Sequence, residues 1–265
     1  MIKNTNRIVL WVSILLITLS SCTNEGVTLV PVQLLKKIVE ISTDGSSNTT
    51  FLTYNGNKIV SIDKVDAIAT FYYTADLITK IALLDKSTQH INTLQYDYSD
   101  GQLVKITSSD NYVLNYIHHA DGSVSYEKLT KDLNNNDIKI YHGILSFQNG
   151  NLIKDDKFLD DEGVEVLSEN TINSTYDNKN NALFNVVGFN KLLDYSKIIS
   201  SNNELSNDET SFVKHLDDDQ ATSSIKMNLA KYLYDSYGYP TEIISQNILF
   251  GGNDSKHLKS QLFYN

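Results

Sequence analysis

The sequence has a single arginine, a single cysteine and only two prolines in 265 residues. Nucleic-acid-binding proteins use a basic stripe that is usually rich in arginine, whereas this chain has 22 basic and 32 acidic residues and a formal net charge of -10. One cysteine excludes a disulfide framework and a cysteine-rich zinc site. With prolines only at positions 31 and 240, the chain also lacks the proline-rich linkers of multidomain surface proteins. The composition favours one acidic domain that binds no nucleic acid.

The first 22 residues combine a short basic region with an apolar segment that ends in the only cysteine. Lys3 and Arg7 come before an apolar run over residues 8–19, which is too short to cross a bilayer core of ~30 Å as a helix. Residues 19–22, Leu-Ser-Ser-Cys, then match the lipobox of bacterial lipoproteins: a branched apolar residue, two small residues and the cysteine. The segment therefore resembles a lipoprotein signal peptide.

This resemblance implies that residues 1–21 are removed and that Cys22 is acylated on its sulfur and becomes the new N-terminus. Two or three acyl chains hold a protein stably on a membrane, where one chain does not. Thr23 stands where aspartate is associated with retention at the inner membrane, which favours the outer membrane. The alternative is an ordinary secretory signal, or an uncleaved anchor, with an incidental cysteine. Residues 22–34 are predicted to be a lipidated tether, and residues 35–265 a single β-rich domain.

The rest of the chain repeats a degenerate β-hairpin unit. A strand ends in an aromatic residue, an Asx/Ser/Gly turn follows, and apolar residues come five and eight positions after the aromatic one. Such units start at Tyr54, Tyr73, Tyr98, Phe147 and Tyr234. Asn-Gly and Asp-Gly supply the positive φ angles that tight turns need. A regular strand sends residues three apart to opposite faces, so either a β-bulge intervenes or both faces of the sheet are covered.

These units resemble the YD repeats of RHS-type proteins, in which Tyr-Asp is followed by Gly and an aliphatic pair. They resemble still more the hairpin-rich lipoproteins of Bacteroidota, some of which are grouped with porin-like β folds. Residues 176–184, Tyr-Asp-Asn-Lys-Asn-Asn-Ala-Leu-Phe, followed by Gly188 and Phe189, look like a block of those lipoproteins. The resemblance implies a β fold in the cell envelope, and the family brings no established activity with it.

The pattern predicts an all-β fold, an antiparallel meander of roughly ten to fourteen strands with at most one or two short helices. An open curled sheet and a closed barrel both remain compatible with it, because each protects strand edges and buries one face.

Residues 189–199 have helical apolar spacing, and residues 200–211 are predicted as a surface loop. A membrane-spanning barrel is disfavoured because it needs a repeated lipid-facing band. The lysines expected on the outer face are Lys58, Lys80, Lys105 and Lys154.

The residues that could bind a metal are scattered. The six histidines are His90, His118, His119, His142, His215 and His257. They show no His-x-His or HExxH spacing, and neighbours on a strand such as His118 and His119 point to opposite faces, so surface or half-buried histidines are favoured over a metal site. Asp132, Asn134, Asn136 and Asp137 have the oxygen spacing of a calcium-loop start. Asp137 and Gly143 occupy the positions where that loop needs Gly and Glu, which favours a plain Asx turn.

Catalytic motifs are absent from the sequence. There is no G-x-S-x-G elbow, Walker loop or dinucleotide fingerprint. The acidic clusters at residues 155–156, 160–162 and 217–219 are interpreted as solvated turns or gatekeeper residues rather than as a cation site or a general acid/base pair. The sequence therefore assigns a role to one residue, Cys22, as the lipid attachment site. It assigns no catalytic residue, metal or cofactor.

These observations favour a non-enzymatic, lipid-anchored cell-envelope lipoprotein that binds a ligand or partner. A glycan and another envelope protein are the candidates, since 16 tyrosines offer rings on which sugars stack, although tyrosine is also a favoured strand residue. One alternative is a structural envelope component without a small ligand. The other is a hydrolase with catalytic residues dispersed among loops, which a deep cleft with two carboxylates would favour.

Overall fold

The computed structural model describes residues 32–160, 166–195, 199–215, 221–249 and 256–265. The predicted signal peptide, Cys22 and most of the predicted tether lie outside these residues. Val32–Asn265 forms one compact unit. No helix in the described ranges is long and apolar enough to cross a membrane.

Sixteen antiparallel strands make up the described part of the chain. They are β1 (Leu35–Ser42), β2 (Ser47–Asn55), β3 (Lys58–Asp63), β4 (Ala67–Thr74), β5 (Leu77–Asp85), β6 (Ile91–Ser99), β7 (Gln102–Ser108), β8 (Tyr112–His118), β9 (Val124–Lys131), β10 (Asp137–Gln148), β11 (Asn151–Leu159), β12 (Val166–Asn180), β13 (Asn202–His215), β14 (Ala221–Tyr234), β15 (Pro240–Leu249) and β16 (Lys256–Tyr264). Each strand pairs with the next, and β16 pairs with β1 to close a barrel. The predicted all-β meander is confirmed, in its closed form and with more strands than expected.

A β-bulge after the hairpin turn explains the three-residue spacing of apolar positions. In the unit that starts at Tyr98, the pairing register shifts between Asp97 and Tyr98. Leu103 and Ile106 consequently both point into the barrel, where they are 1% and 0% exposed. The same shift occurs in the units that start at Tyr54, Tyr73, Phe147 and Tyr234. Of the two alternatives that the sequence left open, the bulge is therefore the one that the structure adopts.

Inward tyrosines near one end of the barrel join neighbouring strands. The hydroxyl of Tyr98 on β6 donates to the carbonyl oxygen of Ile78 on β5 at 2.9 Å. Equivalent bonds of 2.6 to 2.9 Å join Tyr54 to Leu35, Tyr176 to Leu152, Tyr232 to Glu204 and Tyr264 to Pro240. Burial raises the pKa of all five hydroxyls, so they remain neutral donors. We call these five residues the tyrosine girdle.

Two local predictions were wrong. Residues 200–211, predicted as a loop, lie largely in β13, and Asn207 and Glu209 on this strand point into the barrel. They lack an apolar period because this part of the inner wall is polar. Of the helix predicted over residues 189–199, the described residues form only a single 3-10 turn at Phe189–Lys191. The apolar side chains of this segment fill the barrel from an irregular backbone.

The end of the predicted tether packs against the barrel. Gln33 and Leu34 are buried just before β1 begins. The carbonyl oxygen of Gln33 accepts a hydrogen bond from the side-chain amide of Asn185 at 2.9 Å. The compact unit therefore begins slightly before residue 35.

Candidate functional site: the barrel lumen

The connection between β12 and β13 folds into the barrel. We call residues 181–201 the plug, of which 181–195 and 199–201 are described. Phe189 and Leu192 of the plug are 1% and 0% exposed, and the Phe189 ring lies 6.0 Å from the ring of the inward Phe71 on β4. The hydroxyl of Tyr73 donates to the carbonyl oxygen of Val187 at 3.1 Å. The plug therefore occupies lumen that the wall side chains leave unfilled.

Gly188 allows the plug to approach the wall. Its φ of 74° lies in the left-handed region, which residues with a Cβ rarely adopt. A Cβ at this position would stand 2.6 Å from the backbone oxygen of Asp76, in the turn between β4 and β5. Both the backbone conformation and the close contact therefore require glycine.

The inner wall has an apolar side and a polar side. Strands β2 to β8 contribute the buried apolar residues Leu52, Ile59, Phe71, Ile78, Ile81, Leu94, Leu103, Ile106 and Leu114. Strands β11 to β14 contribute polar residues around a second region, including Asp155, Ser174, Glu204, Asn207, Glu209, Lys226 and Asn228. The aromatic contact with Phe71 places the plug against the apolar side.

An apolar cavity of about 290 Å³ remains beside the plug. It is lined by Leu35, Ile38, Leu52, Ile62, Ala69 and Leu83 of the wall and by Leu183 and Tyr195 of the plug. Its charged lining residues, Glu40 and Lys64, follow the apolar ones along β1 and β3, toward the end of the barrel opposite the plug. We call this space the apolar cavity.

A second cavity of about 140 Å³ lies between the plug and strands β8 to β11. It is lined by Leu114, Tyr116, Tyr126, Tyr141, Leu145, Asp155, Lys157, Leu193 and Asp194, and we call it the tyrosine cavity. The hydroxyl of Tyr96 donates to Oδ2 of Asp194 at 2.8 Å, while Oδ1 is buried without a hydrogen-bond partner in the described structure. Burial raises the pKa of Asp194 to about 6, against the lowering effect of the Tyr96 hydrogen bond.

Asp155 is the second carboxyl group of the tyrosine cavity. Its Oδ1 accepts a hydrogen bond of 2.6 Å from Tyr126, whose ring covers Gly143 so closely that a Cβ there would lie 2.4 Å from it. Burial raises the pKa of Asp155, and the nearby Lys157 partly offsets that rise. The carboxyl group is thus built into the wall by a tyrosine contact that only glycine at position 143 permits.

The interpretation of Asp155 and Asp156 as a solvated turn was wrong. Both lie in β11, with Asp155 facing the lumen and Asp156 bonded to Thr171 at 2.7 Å. Asp155 stands eight positions after Phe147, where most of the other units have an aliphatic residue. That departure from the repeat was the sequence signal for an inward polar group. Of the other clusters, Asp160 is bonded to His142, and residues 161–162 and 217–219 lie outside the described residues.

The structure does not bring the histidines together where it describes them. His90 contacts Asp110 at 2.9 Å, His118 contacts the Leu103 carbonyl at 2.8 Å, His119 contacts Ser125 at 2.5 Å and His142 contacts Asp160 at 2.5 Å. The side chains of His215 and His257 lie outside the description. Within the described ranges, no three His, Cys, Asp or Glu side chains are arranged to hold a metal ion.

The candidate calcium loop forms the turn between β9 and β10. Oδ1 of Asp132 accepts hydrogen bonds from the backbone N–H groups of Asn134 and Asn136 at 2.8 and 2.7 Å. Its Oδ2 accepts another from the Asn136 side chain at 3.1 Å. These bonds are those of an Asx turn, in which the turn itself satisfies the carboxylate.

Comparison with known proteins finds similarity to solved structures. No family model and no curated protein matches the chain. Among solved structures, the chain is similar to a porin-like protein from Bacteroides uniformis, with a TM-score of 0.51 and 12% sequence identity. The similarity covers 87% of this chain and 98% of that one. At 12% identity, this similarity shows a shared fold and nothing about function.

Replacing Gly188 with alanine should loosen the plug. We expect Gly188→Ala to lower the free energy of unfolding by more than Gly122→Ala, and to speed amide hydrogen exchange across the plug. Gly122 is the matched control because its φ is 86° and no atom lies within 4 Å of a Cβ built there. Strain of about 1 to 2 kcal/mol from the left-handed backbone is common to both variants. The additional loss of stability in Gly188→Ala therefore measures the clash with the Asp76 backbone. Equal losses of stability, with unchanged exchange in the plug, would contradict its placement.

Proposed function

We propose that the protein is a non-enzymatic, lipid-anchored barrel of the cell envelope that binds a small apolar or amphipathic ligand in its lumen. The observation that carries this proposal is the apolar cavity. Ligand pockets are typically concave, of ~300 Å³ or more, and lined by apolar side chains with a few polar groups. The volume of about 290 Å³ and its lining fit that description.

The polar groups of the apolar cavity suggest the orientation of the ligand. The apolar residues extend from Leu35 toward the middle of the barrel, while Glu40 and Lys64 lie toward the end opposite the plug. A ligand with an aliphatic part and a polar head would bury its aliphatic part among the leucines and keep its polar head near Glu40 and Lys64. At about 30 Å³ for each water-sized group, the space holds roughly ten such groups.

The outer face of the barrel supports attachment through acyl chains rather than through the strands. Lys139 pairs with Glu127 at 3.0 Å across β9 and β10, and Lys259 pairs with Glu242 at 2.7 Å across β15 and β16. Three of the four expected outward lysines behave similarly. Lys58 pairs with Asp76 at 3.1 Å, Lys154 pairs with Asp156 at 2.7 Å, and Lys80 lies over the Tyr72 ring at 3.9 Å. Each lysine on a lipid-facing surface would cost about 2 to 4 kcal/mol at the bilayer midplane.

The envelope location rests on two further supports. The lipobox at residues 19–22 resembles that of bacterial lipoproteins and would place the acyl chains on Cys22. The structural neighbour is described as a porin-like protein. Together with the ion pairs on the outer face, these features favour a barrel held beside the outer membrane by its lipidated N-terminus.

One observation favours a hydrolase as a second candidate: Asp155 and Asp194 line the same cavity. A carboxylate pair that catalyses hydrolysis needs environments that separate the two pKa values, so that one group is an acid and the other a base or nucleophile. Here burial raises the pKa of both groups. The cavity of about 140 Å³ is also small for a substrate with two joined groups. Binding is therefore the function that the lumen supports better.

The proposed function predicts that Cys22 is acylated. We expect the wild-type protein to sediment with the outer membrane and its N-terminal peptide to carry the mass of two or three acyl chains on Cys22. Cys22→Ala should appear in the soluble fraction because it cannot be acylated, whereas Ser20→Ala keeps a small residue and should behave as wild type. An unmodified Cys22 in membrane-bound protein would contradict the anchor while leaving the lumen site untested by this result.

The proposed function also predicts that filling the apolar cavity weakens ligand binding. Ala69 on β4 lines it, whereas Ala82 on β5 pairs with Thr70 and Thr93 on the outward face. We expect 1-octanol to bind the wild type and Ala82→Phe saturably, as measured by shifts of methyl NMR signals. Ala69→Phe should weaken binding at least about tenfold, because its ring occupies the space. Thermal unfolding should confirm that both variants fold, since overpacking costs about 1 to 3 kcal/mol. Equal octanol affinity in the two variants would contradict the site.

A further inference from the structure

Asp194 is a buried acid without a counter-ion among the described residues. One of its carboxylate oxygens accepts the Tyr96 hydrogen bond at 2.8 Å, and the other, Oδ1, is buried with no partner in the described structure. None of the ion pairs among the described residues includes Asp194, and no cation contributes to its pKa. Burying an unpaired carboxylate is costly, so the site favours any ligand that supplies positive charge.

Tyrosine rings surround this carboxyl group. The negative charge of Asp194 contributes to the raised pKa values of Tyr96, Tyr98, Tyr116, Tyr141 and Tyr195, which places all five within its electrostatic reach. Tyr116 and Tyr141 line the tyrosine cavity together with Asp194. The negative face of an aromatic ring attracts ammonium groups, and cages of such rings bind methylated ammonium ions.

Two of the protein's own lysines already lie over tyrosine rings in and beside the tyrosine cavity, and Nζ of Lys128 is 5.8 Å from the centre of the Tyr141 ring. Nζ of Lys128 lies 4.0 Å from the centre of the Tyr112 ring, and Nζ of Lys157 lies 5.0 Å from that of Tyr141. Lys157 also lowers the pKa of Asp155, so its charge balances the acid on the β11 side of the cavity. Asp194 on the plug side is left as the acid that a ligand would neutralise.

We propose that Asp194 and the tyrosines of the tyrosine cavity form a second binding site, for a small alkylammonium cation. A divalent metal ion fits less well, because it needs several oxygen ligands and no group of three metal-binding side chains occurs in the described ranges. The volume of about 140 Å³ corresponds to roughly five water molecules, which suits a trimethylammonium head group. This site is separate from the apolar cavity and does not depend on it.

Binding of such a cation should depend on pH. Burial raises the pKa of Asp194 to about 6, so the group is ionised at pH 8 and largely protonated at pH 5. The groups that face it are tyrosines with raised pKa values, which stay neutral over this range, together with Asp155 and Lys157 across the cavity and Lys128 on β9, whose Nζ lies 5.8 Å from the centre of the Tyr141 ring. Protonation removes the attraction for a cation, so affinity should fall as the pH drops below about 6.

The test is a calorimetric titration of the acylated protein, in maltoside detergent, with choline chloride at pH 8 and pH 5. We expect saturable binding at pH 8 that weakens about tenfold at pH 5 and about tenfold in Asp194→Asn. Asp110→Asn is the matched control, since Asp110 lies outside the cavity beside His90, and it should bind as wild type. The neutral isostere 3,3-dimethylbutan-1-ol should bind at least about tenfold more weakly than choline.

Three results would overturn the proposal: no saturable choline binding by the wild type, equal binding by Asp194→Asn, or equal affinity for the neutral isostere. Binding of D-glucose in place of choline would reassign the cavity to sugars. Circular dichroism should show that Asp194→Asn unfolds cooperatively, as the wild type does. Should the variant fail to fold, Tyr141→Leu provides the second test, with weaker choline binding and unchanged octanol binding expected. Octanol binding reports on the apolar cavity, so either site can fail without the other.

Discussion

The width of a sixteen-stranded barrel is the constraint on which the rest of the structure depends. A barrel of about eight strands is just filled by its own side chains, and one of sixteen leaves an open lumen. A lumen lined by leucine and isoleucine would expose its core to water unless something else occupied it. The plug meets this requirement, since Phe189 and Leu192 are buried against the apolar side of the wall. The barrel therefore has a packed core on one side and cavities where the packing ends.

The β-bulges and the tyrosine girdle make this arrangement possible. In the units that start at Tyr54, Tyr73 and Tyr98, the bulge turns two apolar residues of a short strand inward. The girdle then joins β2, β6, β12, β14 and β16 each to the preceding strand by a hydroxyl–carbonyl bond inside the barrel. Such a bond contributes about 1 kcal/mol, and an unpaired buried hydroxyl would cost more. Tyr54 and Tyr98, which begin two of the hairpin units, are thus structural elements of the wall.

Much of the wall was predictable because the hairpin unit is local. Turn residues, strand alternation and the Tyr-to-aliphatic spacing all lie within about ten residues, so they predicted a meander and left the bulge as one of two possibilities. The plug was not predictable, since its apolar residues have a helical period but pack against strands more than a hundred residues away. β13 was missed because a polar lumen removes the apolar alternation on which strand prediction relies. Asp194 carried no sequence signal, whereas Asp155 departed visibly from the repeat.

The account depends on contact between the plug and the wall, and a double-mutant cycle on Phe71 and Phe189 tests that contact most directly. Their rings lie 6.0 Å apart, one on β4 and the other in the plug. The measurement is the free energy of unfolding of the wild type, Phe71→Leu, Phe189→Leu and the double variant. If the plug lies in the lumen, the two substitutions should couple by about 0.5 to 1.5 kcal/mol. Additivity within about 0.3 kcal/mol would show that the rings do not meet and would contradict a filled barrel.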